Sequence, residues 1–358
     1  MIENIKIKER FNKDCHILVN ETLAALSTPP DAILLCGGYG RDEGAWYVNE
    51  KGEVCPYNDY DIAIITDNPL SRPEKNSLRK RLAGLIGIKW VDIDFYSQGV
   101  LRELKSTIHN VDLLYASSIL CGDIDLHKIN PHVDAKKIGE WDIVKLFNTR
   151  MWTFLGSWEG DFRDLNPEEA MFFQNQMAKA ALAAVDMILV NKKEYTPSYC
   201  QRVDKVKSYL TNVNEKDIVT WAYQFKTRPV LKPITKAEMI KRYWDVKSFF
   251  CNSYKSASSH LGKLLLSPQY SSWYYYLGTH YVPSNLYAQI VKHSTRVKKT
   301  RDIYDAQSLV FFANDKGNID NTLLEKASNI LMKWGYTDDM SNDWNQLRML
   351  VSQARNNI

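Results

Sequence analysis

Long apolar runs are missing from this 358-residue chain. No stretch approaches the ~18 apolar residues of a membrane-crossing helix, so no membrane span is expected. Glycine and proline are sparse, at 16 and 12, which excludes collagen-like and low-complexity sequence and points to much helix with few long loops. A charge of one sign is also missing. The 46 Lys and Arg against 42 Asp and Glu leave a net +4, too little to imply a nucleic-acid partner from bulk charge. Cysteines number six, at Cys15, Cys36, Cys55, Cys121, Cys200 and Cys251, and none forms a C-x-x-C pair. The opening MIENIKIKERF lacks the apolar core of a secretory signal. A reduced, cytoplasmic protein with incidental thiols is therefore expected. Three catalytic signatures are absent as well: the G-x-x-x-x-G-K-[ST] phosphate loop, H-E-x-x-H and G-x-S-x-G. Gly38-x-Gly40 is followed by Gly44, one position late for a dinucleotide fingerprint, and by a hairpin pattern instead of a helix.

What is present is ordinary globular material, 45% apolar and 25% charged, rich in aromatics. Its length suggests about two domains at ~150 residues each. The first part mixes strands and helices. Residues 6–27 read as a helix stopped by Pro29-Pro30. The run Ala32–Cys36 reads as a buried strand ending in Gly37-Gly38, and 45–57 as a hairpin turning at Lys51-Gly52. A second buried strand covers Asp61–Thr66, and Ser71–Ile86 is expected to be helical. Residues 89–97 alternate, with Val91, Ile93 and Phe95 on one face and Asp92, Asp94 and Tyr96 on the other. Beyond about 135 the pattern is helical. Asn166-Pro167-Glu168-Glu169 opens a helix to about Val190, and Thr235–Glu238 is a capping box. Further helices are expected over 286–313 and 322–334. The expected architecture is α+β: a mixed sheet flanked by helices over 1–134, then a mostly helical domain over 135–358.

Three N-terminal pieces carry the chemistry. Gly37-Gly38-Tyr39-Gly40-Arg41 follows a strand, Asn58-Asp59-Tyr60-Asp61 precedes one, and Val91-Asp92-Ile93-Asp94-Phe95 lies within one. Residues at i and i+2 of an extended chain share a face, so Asp59 and Asp61 project together. Adjacent carboxylates repel unless a cation lies between them. A third acid on a neighbouring strand completes a site for Mg²⁺, which takes oxygen ligands and substrate phosphates. A glycine turn lets backbone N–H groups approach phosphate oxygens.

This order of motifs resembles the DNA polymerase β-type nucleotidyltransferase superfamily over about residues 30–97. The resemblance implies an enzyme that moves an NMP from an NTP, ATP foremost, to an acceptor hydroxyl with release of pyrophosphate. It implies Mg²⁺, or Mn²⁺ in its place, held by Asp59, Asp61 and a third carboxylate. That third position falls on Asp92 or Asp94; an acid followed by apolar, any, apolar favours Asp92. Gly37 and Gly38 match the phosphate-holding glycines, although the family often has Ser at the second. By the same resemblance Arg41 and Lys179 are candidates to contact the triphosphate. Tyr195, Tyr199 and Arg202 are further candidates to line the site, and Asp42 and Glu43 either approach the metals or face water. A small hydroxylated molecule or a nucleotide is the expected acceptor. The alternatives are a catalytically silent nucleotide-binding protein and an RNA- or protein-modifying transferase. A basic run, Lys292, Arg296, Lys298, Lys299 and Arg301, near Tyr281, Tyr287 and Tyr304, would serve RNA binding, but nucleic acid is not favoured as a partner. Cys121, Asp123, Asp125, His127 and His132 match no zinc spacing and read as a polar loop.

Overall fold

The computed structural model describes residues 2–156, 161–257 and 295–357. The protein is mixed α/β, with a small mixed sheet near the N-terminus and a helical C-terminal region. It divides into two compact units. The first comprises residues up to Ile138 together with Lys193–Tyr209 and Tyr223–Leu231; the second holds Gly139–Lys192, Leu210–Ala222 and Lys232–Ile358. This differs from the expected single cut at 134/135. Two segments of the C-terminal stretch fold with the sheet, a long-range assignment that no local pattern announces.

In the first unit, β1 (Ala32–Cys36) and β4 (Tyr60–Ile65) pair antiparallel, and β4 pairs in parallel with β5 (Val91–Tyr96). The strand order is β5-β4-β1-β6, where β6 is Ser118–Gly122, a strand the alternation pattern does not reveal. Its sequence SILCG is too short and too exposed to show a period. A separate hairpin joins β2 (Trp46–Val48) to β3 (Val54–Pro56). Helices α1 (Ile2–Ala25) and α3 (Arg72–Ile86) cover one sheet face. Leu18, Leu78 and Leu82 pack there against Leu35, Ile62, Ile64, Val91 and Ile93. The capping box of Ser71 and Glu74 starts α3, and Gly87, at φ 79°, ends it.

A polar contact ties α1 to the start of β4. The Tyr60 hydroxyl donates to Asp14 Oδ2 at 3.0 Å, and Arg10 Nε donates to Asp14 Oδ1 at 2.9 Å. Asp14 is fully buried. Burial pushes its carboxyl up, and Arg10 and Tyr60 pull it back. Removing the acid leaves a buried phenol without its acceptor and a cation without its partner. Asp14→Ala is expected to destabilise the protein by about 3 kcal/mol in urea unfolding. Asp14→Asn, which keeps an acceptor for Tyr60, is expected to cost about half of that.

In the second unit, α8 (Pro167–Asn191) lies against α7 (Glu140–Gly156) and α11 (Lys236–Ala257). Its buried Ala178, Ala180, Ala181, Ala183 and Ala184 allow close approach of neighbouring helices. Phe147, Phe154, Phe250 and Phe311 form an aromatic cluster at ring separations of 4.8–6.5 Å. Helices α12 (Thr295–Ala313), α13 (Asn321–Lys333) and α14 (Trp344–Asn356) complete the unit. The residues before Thr295 in the expected 286–313 helix, the run Trp273–Tyr276, Tyr281, Tyr287 and Lys292 lie outside the described residues. Of the basic run, Lys299 lies over the Tyr336 ring and Arg301 pairs with Asp302 at 3.2 Å. These two cations are engaged within their own unit. Among the described residues no helix is long and apolar enough to cross a membrane.

Candidate functional site

Strand register builds the site. Asp61 on β4 lies beside Cys36 on β1 and Asp92 on β5, a single rung across three strands. Parallel neighbours stand ~4.8 Å apart, so two acids on one rung put their carboxylates side by side. Asp59, just before β4, points the same way. Oxygens of Asp59, Asp61 and Asp92 all lie within 4.8 Å of one another. Among the described residues this is the one His/Cys/Asp/Glu group arranged to hold a metal ion. Tyr60, between Asp59 and Asp61, faces the core and stacks on Tyr39 at 4.2 Å.

Asp61 has the most strained electrostatics. Burial, then the charges of Asp59 and Asp92, push its carboxyl up to about 7, while Lys226 and Arg41 pull it back. Beside it, burial pushes the Cys36 thiol up to about 12, so this cysteine stays protonated.

The glycine segment follows β1 as the single helical turn α2 (Gly37–Gly40). Gly37 has φ 63°, and a Cβ there would lie 2.1 Å from Asp61 Oδ2. The turn and the carboxylate occupy adjoining space that only glycine leaves open. At Gly38 a Cβ would sit 3.3 Å from the Glu43 carbonyl. A side chain there would require that carbonyl to give by a few tenths of an ångström.

No protein-family model matches the chain, and neither a curated protein nor a solved structure matches it. The chemistry of the site therefore rests on its geometry.

Asp94 stays outside the cluster. It is more than half exposed and stands 3.7 Å from Lys75 Nζ. On α3, Lys75 and Arg79 are one turn apart, and they meet Asp94 and Asp92, two apart on β5. Helix and strand spacings of that size match, so each acid receives its own cation. Asp94 is thereby corrected from a metal candidate to a partner of Lys75.

Arg41 is held by acids of its own unit. Its side chain is only 6% exposed, and it pairs with Asp112 at 3.0 Å and Glu43 at 3.5 Å. Its guanidinium lies 4.6 Å from the Tyr199 ring centroid. A buried guanidinium requires this neutralisation, and its charge also lowers the Asp61 carboxyl's proton affinity. Tyr199 and Arg202 belong to α9 (Tyr199–Val206). Arg202 lies over the Tyr195 and Tyr199 rings, at 4.9 and 4.4 Å, and Tyr195 donates to Asp112 at 2.8 Å.

Glu43 neither approaches the carboxylates nor faces water. It accepts from Ser198 Oγ at 2.9 Å, from the Tyr199 N–H at 2.7 Å and from the Cys200 N–H at 2.9 Å, capping α9. An acid at this helix start is favoured by the exposed N–H groups and the dipole. Arg41, Glu43 and Asp112 thus pin the glycine segment to 195–206. Glu43→Ala is expected to cost about 2–3 kcal/mol in urea unfolding, and Glu43→Gln less, because the amide oxygen still accepts.

Lys179 lies on α8, half-buried, in the second unit. The lysine that acts on Asp61 from within its own unit is Lys226, which is buried and near the end of α10 (Val213–Thr227). Sequence reasoning missed it. It carries no local motif, and only the return of 223–231 to the first unit places it there. The Cys121–His132 stretch forms no metal group; Asp125 caps a short helix and pairs with Lys128 at 2.9 Å.

Proposed function

We propose that this chain is a divalent-metal-dependent nucleotidyltransferase, moving an NMP from an NTP to an acceptor hydroxyl with release of pyrophosphate. The observation that carries this reading is the triad of Asp59, Asp61 and Asp92, packed against the Gly37 turn. The donor set is all oxygen, which suits Mg²⁺ or Mn²⁺. Burial first, and then the neighbouring charges of Asp59 and Asp92, raise the Asp61 carboxyl, and a cation between the acids would offset that cost. Asp59, Asp61 and Asp92 would hold the ion. When bound, it supplies charge neutralisation to the phosphate oxygens.

The chain's own groups account for the remaining requirements. The glycine turn lies directly against Asp61, and Lys226 adds positive charge on the Asp61 side. Asp92 takes, or orients the base that takes, the proton of the acceptor hydroxyl. A bond forms from the acceptor oxygen to the α-phosphorus, and the bond from that phosphorus to pyrophosphate breaks. No protein nucleophile is required, and the protonated Cys36 is not one. Positioning and electrostatics carry most of such a transfer. The acceptor is a small hydroxylated molecule or a nucleotide.

The test is incubation with each of the four α-labelled NTPs and Mg²⁺, with and without cell extract, alongside Asp59→Ala/Asp61→Ala. Label entering a product with release of pyrophosphate, and a dead double variant, is the expected result. Mg²⁺-dependent nucleotide binding without transfer would replace this reading by a non-catalytic nucleotide-binding protein. Absence of any nucleotide or metal binding would remove the triad as a metal site.

A further inference from the structure

We infer that Trp90 and Arg79 are positioning residues for Asp92, holding one of its carboxylate oxygens so that the other stays turned toward the cation. The inference rests on the metal-site reading of the triad. Trp90 is 48% exposed at the start of β5, the outermost strand, and lies outside the hydrophobic core of its unit. Core packing does not call for an indole there. Its one polar group is in use: Nε1–H donates to Asp92 Oδ1 at 2.7 Å.

Arg79 closes the arrangement from α3. Its Nη2 stands 3.7 Å from the same Asp92 oxygen and donates to the Ile93 carbonyl at 3.3 Å. Its guanidinium lies 5.2 Å from the centre of the Trp90 ring. Arginine, indole and carboxylate thus form a closed triangle on the free edge of β5. Both contacts to the acid fall on Oδ1.

A carboxylate at a strand edge turns freely about its last torsion unless something holds it. One hydrogen bond and one facing cation on the same oxygen fix that torsion. Carboxylates that ligate metals are commonly fixed in this way by outer partners, and loss of such a partner costs roughly 10–100-fold in metal affinity. Neither Asp59 nor Asp61 has an indole donor. Asp61 is fixed by its place inside the sheet, whereas Asp92 stands on the outermost strand and needs the clamp.

The experiment is titration of the full chain with Mn²⁺ alone, with free ion read by electron paramagnetic resonance. Wild type, Asp61→Asn, Trp90→Phe and Arg79→Gln are compared, and thermal unfolding is measured on each. Trp90→Phe keeps a ring for Arg79 and deletes only the N–H donor. The expected result is binding by wild type, loss in Asp61→Asn, and about tenfold or greater weakening in Trp90→Phe with an unchanged thermal midpoint. Arg79→Gln is expected to weaken binding in the same direction. Wild-type affinity in both Trp90→Phe and Arg79→Gln, with binding lost in Asp61→Asn, overturns the positioning role and leaves the metal site standing. Failure of wild type to bind, or binding by Asp61→Asn equal to wild type, overturns the metal-site reading and this inference with it.

Discussion

Asp61→Asn is expected to make the metal-free protein more stable at pH 8 and, on the nucleotidyltransferase reading proposed above, to reduce transfer by roughly 10³-fold or more. The stability gain follows from the raised carboxyl. In the unfolded chain an aspartate titrates near ~4, and in the fold Asp61 titrates at about 7. Between these values the folded state keeps a proton that the unfolded state has lost. Stability therefore falls as pH rises from about 4 to about 7, and stays low above. An amide has no such charge to bury, so the variant lacks this fall in stability across that window. At pH 8 without metal the difference is a few kcal/mol, in keeping with ~1.4 kcal/mol for each tenfold change in proton affinity. Urea unfolding at pH 4.5 and pH 8, with and without Mg²⁺, measures it. Mg²⁺ is expected to restore the wild type at pH 8 and to leave the variant unmoved, because binding to the folded state alone stabilises it. The loss of transfer reflects several kcal/mol of charge stabilisation withdrawn from the transition state. A variant less stable than wild type at pH 8, together with a wild type indifferent to Mg²⁺, would show that the three acids do not form a strained cluster.

Gly37→Ala is expected to damage the candidate site while leaving the chain folded. Two effects combine. The residue sits at φ 63°, where a side chain costs about 1–2 kcal/mol. The added Cβ would also lie 2.1 Å from Asp61 Oδ2, so turn and carboxylate must separate. A displacement of about 1 Å at a reacting group costs roughly 10²-fold in rate. Transfer should fall by about that factor with the chain still folded, as read by circular dichroism and by label transfer on the same sample. Gly52→Ala is a useful contrast. Gly52 also has positive φ, 76°, but a Cβ there meets nothing within 4 Å. It is expected to lose about 1–2 kcal/mol of stability and no activity. Equal activity loss in both variants would mean that backbone strain alone, and not the crowding of Asp61, was at work.

The local features of the site were legible in the residues. The apolar run Ala32–Cys36 with glycines behind it, the acids at Asp59 and Asp61, and the alternation through Asp92 each reflect a period of two or a turn preference. Such features are set by neighbours a few positions away. β1, β4 and β5 therefore appear within a residue or two of where they were expected, and α8 runs Pro167–Asn191 where its cap predicted a start. The alternation of β5 placed Asp92 and Asp94 on one face but had no means to choose between them.

Tertiary structure made that choice. The parallel register sets Asp92, and not Asp94, beside Asp61, and Lys75 on α3 takes the other acid. It also decided that Arg41 is neutralised by Asp112 and Glu43, and that 193–209 and 223–231 fold with the sheet and bring Lys226 to the acids. The sequence by itself determined which residue types stand at strand ends and turns, because backbone sterics and side-chain period act over a few residues. Only the fold decided which charges meet, because pairing depends on strand register and on segments far apart along the chain, and neither leaves a local trace.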